Sequence, residues 1–229
     1  MKREDAIRNA RARLYPSLRN PNYLVLRSRR LIFTEYMKTL PDKLAVLDVG
    51  ARYQPYRPLL AGKYEKYFAL DVDKSEFVNV VGSGDGIPFR DGIFDLVIAT
   101  GVFEYFQTPA DAAAEIYRVL KPGGSLLMSV GAVVPRFVEQ ERWRYLPLGL
   151  QSLFASFSNV SIVPEVFSLA AFCRLMNLGF HDFLKLPALK FAYEITICPV
   201  MNLLGLLLEK AHLTSNEKWA GNYNVIARK

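Results

Sequence analysis

Apolar and polar positions follow a regular pattern along most of this 229-residue chain. From residue 44 onward, short apolar runs alternate with longer amphipathic segments, which is the pattern of a parallel sheet covered by helices. Strands are predicted at residues 44–50, 66–73, 77–82, 94–101, 125–131, 159–163 and 223–229. Helices are predicted at residues 56–64, 109–120 and 168–178, followed by an apolar helical region to about residue 211. Because the last strand completes the same sheet, we expect one doubly wound α/β domain without a separate substrate domain.

The most hydrophobic stretch is ITICPVMNLLGLLL, residues 195–208. It is shorter than the roughly 20 residues that a helix needs to cross a bilayer. It also contains Pro199 and Asn202. We therefore predict a core helix here, with contact at a membrane interface as the alternative.

The net charge of +7 is concentrated near the N-terminus. Residues 1–40 contain ten Lys or Arg and three Asp or Glu, whereas residues 41–229 contain nineteen of each. We therefore divide the chain into a basic helical N-terminal extension, residues 1–40, and one domain, residues 41–229. The arginines of the extension are suited to phosphates of nucleic acid or of an anionic lipid surface, although a solvated helical face fits them equally well. No nucleic-acid-binding motif follows, so nucleic acid is not favoured and peripheral membrane contact remains open.

Cysteine and histidine are scarce. Cys173 and Cys198 lie in apolar surroundings without metal-ligand spacing, so free buried thiols in a reducing compartment are expected, and no metal site is predicted. His181 and His212 are the two histidines, and a structural role is expected for both. The N-terminal residues lack the apolar segment of a signal peptide, which makes the cytoplasm the expected location. The oligomeric state is open.

Polar residues follow the first three predicted strands. Gly50 ends the first strand, and Asp71 follows it by 21 residues at the end of the second. A carboxylate at that place accepts hydrogen bonds from the two hydroxyls of a ribose. Asp85, in the loop after the third strand, is placed to accept from an adenine amino group. These residues alone fit a nicotinamide dinucleotide as well as an S-adenosyl compound.

The order of four segments resembles the class I S-adenosylmethionine-dependent methyltransferases, particularly the group called methyltransferase type 11. The segments are LDVG, ALDVD, GDGIPFRDGIFDLVIATGVFEYF and EIYRVLKPGGSLLMSV, within residues 44–131. The resemblance implies a Rossmann-like fold with a mainly parallel seven-stranded sheet and an antiparallel C-terminal strand. It also implies S-adenosylmethionine as the cofactor. The predicted cofactor site comprises Asp48, Gly50, Arg52, Asp71, Val72, Asp85, Gly86, Thr100 and Val102.

The chain departs from the pattern of that family at three positions. Arg52 and Gln54 stand where the second and third glycines of its glycine-rich loop are usual. S-adenosylmethionine has no pyrophosphate, so a loop with one glycine is still compatible with it. Arg52 is a candidate partner for the methionine carboxylate, or else a surface charge. Tyr105 follows Glu104 where many members have a histidine, so a histidine base is missing there.

The acceptor is expected to bind near the segments that follow the fourth and fifth strands. After the fifth strand, ERWRYLPLGL resembles a segment of type 11 members that accompany cell-surface glycan assembly. Aromatic faces and charged groups suit sugars, so a small molecule or a glycan is the predicted acceptor, with methylation at oxygen. The alternative is that Trp143 anchors an ordinary loop. Candidates for the general base are Glu141, Glu104 and Tyr145, in that order.

Two other functions remain open at this point. Arg52 and Tyr105 are compatible with a methyltransferase-like binding protein that has no turnover. The basic N-terminal segment is compatible with an RNA methyltransferase, whose binding would weaken steeply with salt. The Asn/Asp-Pro-Pro-aromatic segment of nucleic-acid amino methyltransferases is absent, because TGVF stands after the fourth strand.

Overall fold

A seven-stranded sheet runs through the centre of the protein. The computed structural model describes residues 3–211 and 217–229. The strands are β1 (Leu44–Val49), β2 (Tyr64–Asp71), β3 (Val80–Val81), β4 (Phe94–Thr100), β5 (Leu120–Gly131), β6 (Ser158–Val166) and β7 (Asn222–Arg228). The helices are α1 (Arg3–Leu14), α2 (Tyr23–Lys38), α3 (Pro109–Val119), α4 (Pro147–Leu153), α5 (Ser168–Phe183), α6 (Pro187–Ile195) and α7 (Ile197–Lys210).

The order of the strands is β3-β2-β1-β4-β5-β7-β6. Six strands point in the same direction, and β7 is antiparallel to both of its neighbours. The predicted fold, a mainly parallel sheet with an antiparallel C-terminal strand, is therefore confirmed. The strand order reverses between β1 and β4, and their carboxyl ends form the edge where ligands bind in open α/β sheets.

Two elements are shorter than predicted. The helix expected at residues 56–64 is a single 3-10 turn, Arg57–Leu60, because the backbone at Ala61 is no longer helical and Gly62 has a φ of 83°. Tyr64 already belongs to β2. The third strand is reduced to two residues, Val80 and Val81.

Both faces of the sheet are covered by apolar side chains. Because side chains alternate along a strand, Leu47 of β1 packs with α3 on one face. Val46 packs on the other face with Phe33 and Met37 of α2. The helix α2 lies within the basic segment 1–40, so that segment contributes directly to the core.

A buried ion pair joins α2 to the far edge of the sheet. The guanidinium of Arg29 donates from Nε and a terminal nitrogen to the two carboxylate oxygens of Glu165 on β6, at 2.6 and 2.9 Å. The hydroxyl of Ser129 on β5 also donates to Glu165, at 2.5 Å. The side chain of Glu165 is fully buried. These bonds connect one helix with two strands.

The predicted core helix at 195–208 is only partly a core helix: α7 exists, and Met201, Leu206 and Leu208 pack against the core, but Ile197, Val200, Leu203, Leu204 and Leu207 are exposed. Its buried residues are Cys198, Asn202 and Gly205. Asn202 donates to the carbonyl oxygens of residues 18 and 20, and a Cβ at Gly205 would lie 2.5 Å from Leu24. The N-terminal segment therefore selects the small and polar face of α7 as the inner one.

The residues Pro187–Lys210 are long and apolar enough to cross a membrane. An 18-residue window within them has a mean hydropathy of 1.7, and 22 % of that window is buried inside the protein. Cys173 and Cys198 are free and buried, as predicted.

The ion pair of Arg29 and Glu165 generates a stability prediction. Glu165→Gln keeps the shape of the side chain but leaves the buried guanidinium of Arg29 without a carboxylate. Removing one partner of a buried pair costs about 3–5 kcal/mol. We expect the free energy of unfolding, measured by urea denaturation, to fall by about that amount. Glu35→Gln, which breaks the exposed pair with Lys38, is the control and should cost less than about 1 kcal/mol. Equal losses in the two variants would contradict this role of Glu165.

Candidate active site

Backbone hydrogen bonds tie together the carboxyl ends of neighbouring strands. The N–H groups of Gly50 and Ala51, after β1, both donate to the carbonyl oxygen of Leu70 in β2, at 2.8 and 3.0 Å. The N–H of Gly101, after β4, donates to the carbonyl of Ser129 in β5 at 2.9 Å. The loops that carry the predicted site residues are thus held side by side along one edge of the sheet.

The loop after β1 needs its single glycine. Gly50 has a φ of 74°, and a Cβ there would lie 2.8 Å from the Cβ of Val102. Another residue would therefore be strained in its backbone and would collide with the loop after β4. Gly50 and Val102, both predicted as cofactor residues, are brought together.

Gln54 compensates for a missing glycine in the same loop. Its φ of 48° lies in the left-handed region that favours glycine. The side-chain amide donates to the carbonyl of Phe77, and its oxygen accepts from Arg57 at 3.0 Å. These side-chain bonds hold the unfavourable backbone conformation in place.

The residues predicted for the ribose lie at the end of β2. Asp71 is partly exposed, and its Oδ1 accepts the backbone N–H of Asp73 at 3.0 Å. Val72 is exposed beside it. Arg52 approaches Asp73 to 3.4 Å, and both side chains are largely in solvent. The accessible carboxylate of Asp71 next to the Gly50 loop fits a ribose, whereas Arg52 already has a carboxylate neighbour.

Gly84 and Gly86, in the loop after β3, have different surroundings. Asp85 is partly exposed, and Gly86 has open space where a Cβ would be. Gly84 is tightly packed, since a Cβ there would lie 2.5 Å from the ring of Phe106. Sequence reasoning missed this requirement at Gly84. The open space at Gly86 is compatible with the predicted adenine beside Asp85. Thr100, also predicted, ends β4.

Asp48 supports the loop from within the protein. It is buried, and the hydroxyl of Tyr67 donates to its Oδ2 at 2.5 Å. Burial raises the pKa of Asp48 to about 7, although the bond from Tyr67 opposes the change. This predicted cofactor residue therefore has a partner inside the fold.

Two cavities adjoin the N-terminal helix α1. One, of about 620 Å³, lies between α1 and residues 53–64. The other, of about 480 Å³, lies at the carboxyl ends of β4 and β5, and we call it the acceptor cavity. None of the nine predicted cofactor residues lines either of these two cavities. The acceptor cavity is lined in part by Glu104, Tyr105, Glu141 and Arg144.

Glu104 has an unsatisfied oxygen in the acceptor cavity. Its Oε1 accepts the backbone N–H of Gly131 at 2.6 Å, whereas Oε2 is buried without a hydrogen-bond partner. Burial raises the pKa of Glu104, and the bond from Gly131 only partly opposes this. A buried carboxylate oxygen without a partner is costly, and it is available to a bound ligand.

Glu141, the first candidate base from the sequence, has engaged oxygens. Its Oε2 accepts from Arg144 at 2.5 Å and from the backbone of Phe137 at 3.0 Å. Its Oε1 accepts the hydroxyl of Tyr105 at 3.3 Å. The geometry therefore favours Glu104 over Glu141 as a proton acceptor.

Tyr145 and Trp143 hold the loop after β5 against the body of the protein. The buried hydroxyl of Tyr145 donates to the carbonyl of Phe103 at 2.8 Å, and burial raises its pKa. The indole N–H of Trp143 donates to the carbonyl of Phe106 at 2.8 Å. These contacts favour a positioning role for Tyr145 and agree with Trp143 as an anchor of the loop.

Several residues of the acceptor cavity escaped the sequence analysis, among them Arg13, Asn22, Arg174 and Asn222. They belong to α1, the turn before α2, α5 and β7, so no local pattern connects them. Within residues 3–211 and 217–229, no group of three His, Cys, Asp or Glu side chains is arranged to hold a metal ion. His212 lies outside the described residues.

Comparisons with known proteins agree with this architecture. Residues 47–128 match the family model described as a methyltransferase domain. The chain is 47 % identical over 94 residues to an uncharacterised methyltransferase of Schizosaccharomyces pombe, covering 36 % of this chain and 37 % of that protein. It is 32 % identical over 95 residues to malonyl-[acyl-carrier protein] O-methyltransferase 1 of Coxiella burnetii, covering 38 % and 34 % respectively. The chain thus spans about a third of the length of these curated relatives.

The fold also resembles solved methyltransferases. Phosphoethanolamine N-methyltransferase 2 of Haemonchus contortus, in complex with S-adenosyl-L-methionine, is 16 % identical and has a TM-score of 0.54. The match covers 86 % of this chain and 51 % of that one. Together the findings agree with the predicted methyltransferase class: residues 47–128 match a methyltransferase domain, and the fold is that of solved methyltransferases, one of them in complex with S-adenosyl-L-methionine.

The position of Asp71 generates a binding prediction. If its carboxylate accepts both ribose hydroxyls, Asp71→Ala removes two charge-assisted hydrogen bonds, each of about 1.5–3 kcal/mol before compensation by water. We expect the affinity for S-adenosylhomocysteine, measured by calorimetry, to fall by about one to three orders of magnitude. Melting without ligand should change little, because Asp71 is partly exposed at a strand end.

Asp73→Ala is the matched control, because Asp73 lies on the same edge and is exposed. Its effect on affinity should be much smaller. Identical titration curves for the wild type and Asp71→Ala would contradict the ribose assignment.

Proposed function

We propose that this chain, in which residues 47–128 form a methyltransferase domain, transfers the methyl group of S-adenosylmethionine to an oxygen of a small hydroxylated molecule or a glycan. The observation that carries the proposal is Glu104. Glu104 lines a cavity at the carboxyl ends of β4 and β5, and one of its carboxylate oxygens is buried without a partner. A hydroxyl acceptor requires a proton acceptor in that position.

Different residues along the sheet edge bind different parts of the cofactor. The carboxylate of Asp71 holds the ribose, Asp85 and the open backbone at Gly86 adjoin the adenine, and the Gly50 loop adjoins the methionine part. When bound, the cofactor supplies an electrophilic methyl group on a sulfonium. The protein contributes position and exclusion of water, which bring a hydroxyl into line with that methyl group.

Glu104 is suited to remove the proton of the hydroxyl. A general base works best when its pKa lies near the working pH, and burial moves the pKa of Glu104 upward in that direction. The bond from the N–H of Gly131 fixes Oε1 and leaves Oε2 without a partner among the described residues. The N–H of Arg142 donates to the Glu104 carbonyl at 2.7 Å and further fixes its backbone.

The wall of the cavity suits a hydroxylated acceptor. Glu141, Arg144 and Tyr105 form a connected hydrogen-bonding group there. Charged and phenolic groups of this kind bind several hydroxyls at once, as a sugar requires. The Coxiella burnetii relative is named as an O-methyltransferase, which supports oxygen as the methylated atom.

Replacement of Glu104 tests the proposal. The wild type should release S-adenosylhomocysteine when incubated with a panel of small alcohols, monosaccharides, nucleotide sugars and polysaccharide fragments. Glu104→Gln should lower kcat by about 100-fold or more, the usual contribution of a general base, with unchanged affinity for S-adenosylhomocysteine. Glu139→Gln, an exposed glutamate of the same loop, is the control and should retain full turnover.

The pH profile gives a second readout of Glu104. The ionised form is the base, so kcat should rise with pH through the raised pKa of Glu104. The midpoint of that limb should exceed about 4.3, the ordinary pKa of glutamate, and the limb should vanish in Glu104→Gln. Full turnover in Glu104→Gln would refute the role of Glu104. If cofactor binds and no acceptor in the panel is methylated by the wild type, the result favours a binding protein without turnover.

A further inference from the structure

Arg174 is a buried cation without an acidic partner. It is 3 % exposed, and its Nε and one terminal nitrogen donate to the amide oxygen of Asn22 at 3.2 and 2.9 Å. Among the described residues, no carboxylate lies within ion-pair distance of it. Burial lowers the pKa of Arg174 to about 9. A buried charge with one neutral acceptor is poorly compensated.

The nearest acid is already in use. Glu165 is the carboxylate that acts electrostatically on Arg174, but both of its oxygens accept from Arg29. Two buried guanidinium groups therefore share one carboxylate. This leaves a surplus positive charge beside the acceptor cavity, where Arg29 and Arg174 both form part of the wall.

The rest of the cavity does not cancel that charge. Its lining contains four arginines and two glutamates, and Glu141 is already paired with Arg144. The amides of Asn22 and Asn222 add neutral polar groups, and the Oδ1 of Asn222, buried without a partner, can accept from a hydroxyl of the ligand. A ligand with negative charge and hydrogen-bonding oxygens would complement this wall.

We infer that the acceptor cavity contains an oxyanion subsite centred on Arg174, and that the acceptor carries a phosphate or carboxylate in addition to the hydroxyl that is methylated. This inference rests on the proposed function, because it describes the substrate of the same cavity. Glu104 and Arg174 line one cavity, so an acceptor of this kind engages both: its hydroxyl at Glu104 and its oxyanion at Arg174.

Binding of simple anions tests the subsite without turnover. Inorganic phosphate and acetate are titrated into the full chain by calorimetry, with sodium chloride at equal ionic strength as the reference. The wild type should bind at least one of the two anions, and the tighter one assigns a phosphate or a carboxylate. Arg174→Gln should weaken that binding at least tenfold, whereas Arg174→Lys, which keeps the charge, should weaken it less.

Arg142→Gln is the matched control, because Arg142 is exposed and does not line the cavity. It should bind the anion as the wild type does. Absence of anion binding in the wild type, or equal binding in a folded Arg174→Gln protein, would overturn the subsite. Neither result is a test of methyl transfer, which is measured separately as release of S-adenosylhomocysteine.

A second observation concerns the outer surface of α5, α6 and α7. Thirteen large apolar side chains between residues 169 and 207 are at least 41 % exposed, and we call this surface the apolar helical face. Phe183 is 83 % exposed, Leu207 65 % and Val200 62 %. Soluble monomers rarely expose contiguous apolar patches of this extent.

The helix α7 exposes more of its large apolar side chains than the surface helix of a soluble protein usually does. Its buried residues are Cys198, Asn202 and Gly205, with Met201, Leu206 and Leu208 partly buried against the core, while Val200 and Leu207 point outward. The buried Asn202 is fixed by the carbonyl oxygens of residues 18 and 20, so α7 does not simply rotate its apolar side inward. The outward orientation therefore calls for an apolar medium outside the protein.

The charges around this face favour a membrane. Glu209 pairs with Arg27, Glu194 contacts the ring of His181, and the exposed Asp182 lies on the other side of the same ring. Within the described part of the chain no ion pair engages Lys185, Lys190 or Lys210. The unpaired lysines lie before α6, within α6 and at the end of α7. Cations at the rim of an apolar surface complement anionic lipid head groups. The excess positive charge of residues 1–40 has the same sign.

We propose that the apolar helical face docks on the surface of an anionic phospholipid bilayer, with its aliphatic and aromatic side chains in the interfacial region. The helices α6 and α7 lie along the bilayer surface, because the inner side of α7 remains bound to residues 18–24. The acceptor cavity is lined in part by α5 and by Asn20, and both of these also contact α7. Docking of the apolar helical face therefore holds the cavity near the membrane.

Vesicle sedimentation tests the docking. The full chain should co-sediment with vesicles of phosphatidylcholine and phosphatidylglycerol, and at least tenfold less with pure phosphatidylcholine. Val200→Gln combined with Leu207→Gln should lower vesicle binding at least tenfold without lowering the melting temperature. Val81→Gln, an exposed apolar residue on β3, is the control and should bind vesicles as the wild type does.

Sedimentation equilibrium without lipid identifies the competing occupant, a second copy of the chain. A dimer that dissociates in the double variant, together with no vesicle binding by the wild type, would overturn membrane docking. Vesicle binding by the double variant equal to that of the wild type would overturn it as well.

Discussion

The contact between Arg29 and Glu165 is the interaction on which the rest of the structure depends. It joins α2 to β6 across 136 positions of the chain, and through Ser129 it also engages β5. A buried bidentate pair of this kind tolerates little displacement, because each charge depends on the other for compensation. The pair therefore fixes the N-terminal helices over the carboxyl ends of the strands. The cavity that results has walls from both parts of the chain.

That arrangement keeps the residues predicted to bind the cofactor apart from the cavity proposed for the acceptor. The predicted cofactor residues lie on the β1, β2 and β3 side of the sheet edge, around Gly50, Asp71 and Asp85. The acceptor cavity lies on the β4 and β5 side, with Glu104 and Arg174 in its wall. The close contact of Gly50 with Val102 places the two regions next to each other. In this chain, a fold shared by many methyltransferases has a cavity whose wall comes partly from its N-terminal helices and from α5.

Local patterns were sufficient for most strands of the sheet and for the acids at their ends. Alternation of apolar runs and the strand-end acids predicted β1, β2 and β4 and the positions of Asp71 and Asp85, because these depend on neighbouring residues. The same reasoning failed for α7, whose inner side is chosen by Asn202 and its bonds to a segment more than 180 positions away. It also gave no sign of Arg174, whose partner Asn22 is 152 positions distant. Residues paired over such distances leave no periodic signal.

A crystal structure of the chain with S-adenosylhomocysteine tests the central claim most directly, namely that the methyl donor lies along the strand ends and faces the acceptor cavity. The account predicts the ribose hydroxyls on Asp71, the adenine beside Asp85 and Gly86, and the sulfur opening toward Oε2 of Glu104. A structure in which the ligand lies instead in the cavity between α1 and residues 53–64, away from Asp71 and Glu104, would contradict the account.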